Sequence, residues 1–239
     1  MEFFLFKRPH HKKIEKILNL IDVDVLTKTN CYFGGGTAIS LLLEEYRESV
    51  DIDFLCASIE GYSHLRRIVN ENDFGILFKE KPILRRGIRS DRYGIRSSID
   101  IDGTPIKIEF VSEGRIQVAS DQTICGIPAL SKTDMFAEKL LANADRWADR
   151  SVLSRDIIDL SMMIDAWGGI PADALEKTTR VYGDSIHLAL AKATLLMEDS
   201  DYMNKCLLGM QMDISFAEQI RSSLGISLNN SQPEDSSDY

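Results

Sequence analysis

The chain has 239 residues, 44% of them hydrophobic and 27% charged, with a formal net charge of -9. That composition suits a globular protein with one large or two small cores, and the negative balance disfavours indiscriminate binding to polyanions. No apolar run approaches the roughly 20 residues of a membrane-spanning helix, and Met1-Glu2-Phe3-Phe4-Leu5-Phe6 is too short for the apolar core of a signal peptide, so no membrane partner and a cytoplasmic location are expected.

After a basic stretch from Lys7 to Lys13, apolar residues at Ile14, Ile17, Leu18, Ile21 and Val25 recur at helical spacing and predict a helix. Its His10-His11 pair reads as a solvated segment, and the four histidines (His10, His11, His64 and His187) share no metal or base spacing. A short strand, Cys31-Tyr32-Phe33, then runs into Gly34-Gly35-Gly36, and Thr37 to Glu45 reads as a helix whose first turn Thr37 caps. Val50-Asp51-Ile52-Asp53-Phe54-Leu55-Cys56 alternates apolar and acidic residues before turning wholly apolar, as a strand does that begins at a site and ends in a core. A helix near Ser63 to Asn70 follows.

Between Lys79 and Arg96 stand seven basic residues, Lys79, Lys81, Arg85, Arg86, Arg89, Arg92 and Arg96, against only Glu80 and Asp91. They fit either charged strand and loop edges that discourage edge pairing, or a phosphate- or RNA-binding surface with Arg85, Arg86 and Arg89 as candidate contacts. Segments Gly94 to Asp100 and Ile106 to Val111 flank Asp102-Gly103, a hairpin turn signal, and their alternation sets Ile106, Ile108 and Phe110 on one face and Lys107, Glu109 and Val111 on the other.

From Ser131 the pattern becomes amphipathic helices: Lys132 to Ala144, Arg155 to Trp167, Ala172 to Tyr182, Ser185 to Glu198, Asp201 to Met210 and Phe216 to Leu224. Gly126 and Pro128 interrupt the chain just before. The expected architecture is therefore α/β (α+β), a mixed β-sheet N-terminal domain over 1–125 followed by a helical domain over 126–228, with 229–239 as a flexible acidic tail. Cys31, Cys56, Cys125 and Cys206 form no C-x-x-C pair and read as free thiols behaving as small buried hydrophobes.

Asp51 and Asp53 stand two apart on one strand, so both side chains leave the same face, close enough to share divalent cations. Magnesium suits such a pair because it binds through one or two carboxylates plus substrate phosphates. If the strand of Glu109 lies beside theirs, a third carboxylate joins them, and two ions could serve an in-line phosphoryl displacement. The glycine turn complements the acids, since backbone amides at a tight turn and a helix start bind phosphate oxygens. Gly35, Gly36 and Thr37 are the candidate ligands, Gly34 a spacer.

Gly36-Thr37, thirteen residues, then Asp51-Ile52-Asp53-Phe54 resembles the hG[G/S]-x(9–13)-Dh[D/E]h signature of polymerase-β-like minimal nucleotidyltransferases. More narrowly, Gly35-Gly36-Thr37-Ala38-Ile39 with Arg47-Glu48-Ser49-Val50-Asp51-Ile52-Asp53-Phe54 is similar to the AbiEii-type toxin nucleotidyltransferases of abortive-infection and toxin-antitoxin systems. Glu138-Lys139-Leu140 and Arg155-Asp156-Ile157-Ile158-Asp159-Leu160 resemble that family's helical motifs, and the likeness covers roughly residues 31 to 165. Thr37 replaces a commoner serine, Glu109 a commoner aspartate, and the interval from Lys139 to Arg155 is longer than the family's.

The resemblance implies transfer of a nucleoside monophosphate from an NTP to an acceptor hydroxyl with one or two magnesium ions. It also implies a tRNA acceptor and a cognate antitoxin. Lys139 would contact the triphosphate, and Asp156 or Asp159 would orient Lys139 or the acceptor. A protein or small-molecule acceptor, or a nonenzymatic NTP-binding module on the same fold, fits the motifs as well.

Overall fold

The computed structural model describes residues 6–226; the acidic segment 229–239, expected to be a flexible tail, lies outside them. Seven strands form one mixed sheet in the order β3-β4-β5-β2-β1-β7-β6. In chain order β1 is Cys31–Gly34, β2 Ile52–Cys56, β3 Leu84–Ser90, β4 Gly94–Ile101, β5 Thr104–Ser112, β6 Ser120–Ile124 and β7 Ile127–Leu130. Helices α1 (Pro9–Leu20), α2 (Val23–Thr29), α3 (Gly35–Leu42) and α4 (Ile59–Asn72) belong to the sheet half. After β7 come α5 (Lys132–Arg146), α6 (Arg155–Trp167), α7 (Ala172–Tyr182), α8 (Ser185–Leu196), α9 (Ser200–Gly209) and α10 (Phe216–Ser223).

The expected first helix is two, because Asp22 leaves helical backbone and its carboxylate accepts the Asp24 N–H at 3.0 Å, starting α2. Thr37 does not cap α3: the helix begins at Gly35, and Thr37 sits inside it. The β4–β5 hairpin forms at Asp102-Gly103, whose φ angles of 52° and 77° are those of a two-residue hairpin turn. A second such turn, Cys125-Gly126 with φ 52° and 75°, joins β6 to β7. Since β7 pairs with β1, the sheet runs past the expected division at 125/126 and the helical half starts at Lys132.

Alternation along β2 and β5 sorts the two faces. Phe54 stacks on Phe110 with ring centroids 4.8 Å apart, and Phe33 and Phe74 close around them. All four are fully buried. Truncating one such ring to alanine costs roughly 3–5 kcal/mol, so this face fixes the register. The intervening residues, Asp53 and Glu109, leave the opposite face, toward α5 and α6. One hydrophobic core runs through both halves.

Cys31 and Cys56, expected to be free thiols, face each other across the antiparallel β1–β2 pair as a disulfide. Only strand register brings residues 25 apart in sequence together, so no spacing rule announced it. Cys206 is free and buried, as expected.

Candidate active site

Gly34 ends β1 and Gly35, at φ +70°, turns the chain into α3. A Cβ on Gly35 would stand 2.7 Å from Asp53 Oδ2, so the position needs glycine both for its left-handed backbone and for the approach of the carboxylate. A Cβ on Gly36 would come closer still to the Arg47 guanidinium. The first amides of α3 therefore open into the same cleft as Asp53.

Asp51 and Asp53 are brought to that cleft by the loop from Leu43, which is tied down from several sides. Thr37, buried, donates its hydroxyl to the Asp51 carbonyl and lies 2.8 Å from Ser49 Oγ, so that hydroxyl holds the strand start and is not presented to a ligand. His11 is fully buried, contrary to the expected solvated segment. Its Nδ1 lies 2.8 Å from Glu45 Oε1 and its Nε2 accepts the Ser49 N–H at 3.0 Å, which fixes a neutral ring with the proton on Nδ1. Burial first holds its pKa below the usual histidine value, against the pull of Glu45. His10 Nε2 lies 3.0 Å from the Val50 carbonyl. On the other side the Glu48 N–H donates to the Met210 carbonyl at 3.1 Å, and Arg8 Nη2 to that of Gln211 at 2.9 Å. Replacing the ring in His11→Ala strands the Ser49 N–H and takes one hydrogen bond from Glu45, whose carboxylate keeps the Lys7 and Arg8 N–H groups. About 2 kcal/mol of stability should go with the ring, read as a fall of roughly 4–8 °C in Tm; an unchanged Tm would refute the strap.

Glu109 reaches the aspartates because β5 runs parallel beside β2, with Asp53 opposite Glu109. Burial first, then the neighbouring Asp51 and later Glu109, raise the Asp53 carboxyl to about 6. Glu109 is itself engaged by Arg96 and by Lys107 Nζ at 2.6 Å. Burial would lower the Lys107 pKa, but Glu109 and the fields of Asp51 and Asp53 outweigh it and hold it above the lysine norm. Among the described residues no three acid, histidine or cysteine side chains converge into a ready cation cage. The two aspartates nevertheless suit a hard divalent ion, being adjacent oxygen donors, and Asp53 carries its charge at a cost that a cation would relieve.

The far wall is α5 and α6. Lys139 Nζ lies 3.0 Å from Asp156 Oδ1 and 2.5 Å from Asp159 Oδ2, so it lines the cleft as an almost wholly buried ammonium between two carboxylates. Arg146 adds two bonds to Asp156, at 2.6 and 2.9 Å. Burial would raise the Asp156 carboxyl; Lys139 and Arg146 outweigh it and hold it far below the carboxylate range. Arg47 forks onto Asp159 at 2.7 and 2.9 Å, with Tyr46 donating to the same carboxylate. Asp156 and Asp159 therefore orient Lys139, Arg146 and Arg47 and do not themselves line the cleft. Glu138, also on the wall, is pushed up to about 8 by burial and then by Glu113.

The cleft holds about 470 Å³. A second hollow, about 920 Å³, adjoins it through Val50, Asp51 and Lys107 and is walled by Arg85, Arg86, Arg89 and Arg96 on β3 and β4. Arg85 also pairs with Asp100. Sequence reasoning missed Arg47, Lys107 and Arg146. Lys107 had a signal, since alternation sets it on the face of Glu109; Arg146, seven residues past Lys139 and so two helical turns on, had a weaker one.

A family model described as "Nucleotidyl transferase AbiEii toxin, Type IV TA system" matches residues 17–218. Among solved structures, a protein from H. pylori described as a candidate nucleotidyltransferase superposes with a TM-score of 0.55 at 15% identity, covering 92% of this chain and 95% of the other. JHP933 from Helicobacter pylori superposes with a TM-score of 0.52 at 18% identity, covering 91% and 89%. At these identities the likeness is one of fold. No curated protein matches the sequence.

Proposed function

The chain belongs to the AbiEii nucleotidyltransferase toxin family, and we propose that it transfers a nucleoside monophosphate from a magnesium-bound NTP to a hydroxyl of RNA, with tRNA as the acceptor. Membership carries NTP as substrate and a toxin-antitoxin setting with a cognate antitoxin. The observation behind the rest is one continuous depression, acidic where Asp51, Asp53 and Glu109 meet the first turn of α3 and basic where Arg86 and Arg89 line its extension.

Asp51 and Asp53 would hold the magnesium, which when bound supplies charge neutralisation at the α-phosphoryl group. Gly35 and Gly36 offer backbone N–H groups to the β and γ phosphates, assisted by the positive end of α3. Lys139 and Arg146, held by Asp156, add fixed positive charge along the wall, so that the triphosphate meets donors already oriented. Glu109 reaches a metal only by loosening its pair with Lys107 or with Arg96. Arg85, Arg86 and Arg89 would carry acceptor phosphates, which lets a chain of net charge -9 bind a polyanion locally.

The test is incubation with each labelled NTP, magnesium and total tRNA, with label in RNA as the supporting result; label confined to protein or to a small molecule overturns the acceptor assignment. Replacing Arg86 and Arg89 by glutamine should weaken RNA binding about tenfold. It should also flatten the plot of log affinity against log salt by about 0.7 for each single-strand phosphate that the protein no longer neutralises. An unaltered slope would remove the basic groove from the reading.

A further inference from the structure

Lys107 stands where the two hollows meet, lining both, and none of the family motifs includes it. Ile52 pairs with Ile108, so the residues on either side of that pair, Asp51 and Asp53 on the β2 side and Lys107 and Glu109 on β5, crowd one face of the sheet. Both oxygens of Glu109 are taken, one by Arg96 and the other by the Lys107 ammonium at 2.6 Å. For Glu109 to ligate a second ion, even through one oxygen, its pair with Lys107 or with Arg96 would have to loosen. Lys107 and Arg96 already set two fixed positive charges against the three carboxylates.

We propose that Lys107 is a catalytic residue whose ammonium supplies, on the acceptor side, the positive charge that a second metal ion would otherwise carry, so that the chain works with one divalent ion on Asp51 and Asp53. The inference rests on the nucleotidyl-transfer reading and deepens it. The acceptor oxygen forms its bond to the α-phosphorus while the bond from that phosphorus to the bridging oxygen breaks, its electron pair leaving with pyrophosphate. Lys107 Nζ donates to the attacking oxygen and stabilises the negative charge as its proton passes to water at the open mouth, where the lysine side chain is 47% exposed. Glu109 and Arg96 keep the ammonium aimed: the carboxylate holds Nζ and the guanidinium holds the carboxylate.

The decisive measurement counts ions without turnover. Manganese is titrated into the full chain with an α,β-methylene NTP, and free manganese is followed by electron paramagnetic resonance. One nucleotide-dependent ion per chain is expected, and two overturn the inference while leaving nucleotidyl transfer standing. No nucleotide-dependent ion overturns the transfer reading itself, and this inference with it. In turnover with labelled NTP and total tRNA, Lys107→Met should lower kcat about 100-fold with KM for NTP within about threefold of the parent, the size expected for losing one charge-stabilising donor. Lys107→Arg should regain at least about tenfold of that loss. A kcat for Lys107→Met within about threefold of the parent, with circular dichroism unchanged, overturns the catalytic role.

Discussion

Asp53→Asn, purified free of divalent ions, should be more stable than the parent at pH 8 by as much as about 3 kcal/mol while losing transfer by on the order of 1,000-fold. Asp53 is half-buried beside Asp51, and its carboxyl is raised from 3.8 to about 6. A carboxyl whose folded pKa exceeds its unfolded one binds more protons in the folded state between those values, so stability falls as pH rises from about 4 to 6 and stays reduced above. The interval corresponds to about 3 kcal/mol, since each pH unit of separation is worth 1.36 kcal/mol. Asparagine keeps the shape without the charge. Urea denaturation at pH 8 and pH 3.5 reads the effect: the difference should be present at the first and gone at the second. Equal stability at pH 8 would mean that the aspartate is not held in the repulsive setting described. Retained transfer would remove it from the chemistry.

Asp159→Ala should act in the opposite sense, costing roughly 3–5 kcal/mol and about 10 °C in Tm. Asp159 is completely buried and holds Arg47 through two hydrogen bonds, Lys139 at 2.5 Å and the Tyr46 hydroxyl. Removing the carboxylate leaves two cations buried, with Lys139 keeping Asp156, and Arg47 the Glu48 carbonyl at 3.0 Å and the Tyr46 ring. Arg47→Met added to Asp159→Ala should recover part of the loss, because it removes the charge that the first substitution stranded. Differential scanning calorimetry of the three variants decides the matter. A loss below about 1 kcal/mol in Asp159→Ala would show that solvent reaches the network and that its ion pairs carry little.

Regular elements were legible where one periodicity dominated. Helices Arg155–Trp167 and Ala172–Tyr182 fall where their apolar spacing sets them, and the hairpin at Asp102-Gly103 follows from its turn residues. The strand pair Ser120–Ile124 and Ile127–Leu130 was lost because Gly126 and Pro128 read as an interruption; Cys125-Gly126 is in fact the turn, and Pro128 sits near the start of a short strand. The acids and the glycines were legible because their chemistry is local in sequence. What holds them was not. His11 with Ser49, Arg47 with Asp159 and Cys31 with Cys56 are meetings that only the closed sheet creates, and a buried neutral histidine is indistinguishable in sequence from an exposed one.

The strap on the loop from Leu43 to Asp51 also bears on the order in which the protein is made. His10 and His11 reach that loop from the first helix, while Met210 supports it from beyond α9, and Arg8 joins Gln211 across 203 residues of sequence. A chain growing from its N-terminus carries Asp51, Asp53 and the glycine turn long before the segment that braces them exists. The loop bearing the first aspartate thus gains its last support only once Met210 and Gln211 have been made, which separates, in time, the making of a toxin's acids from the setting of their geometry.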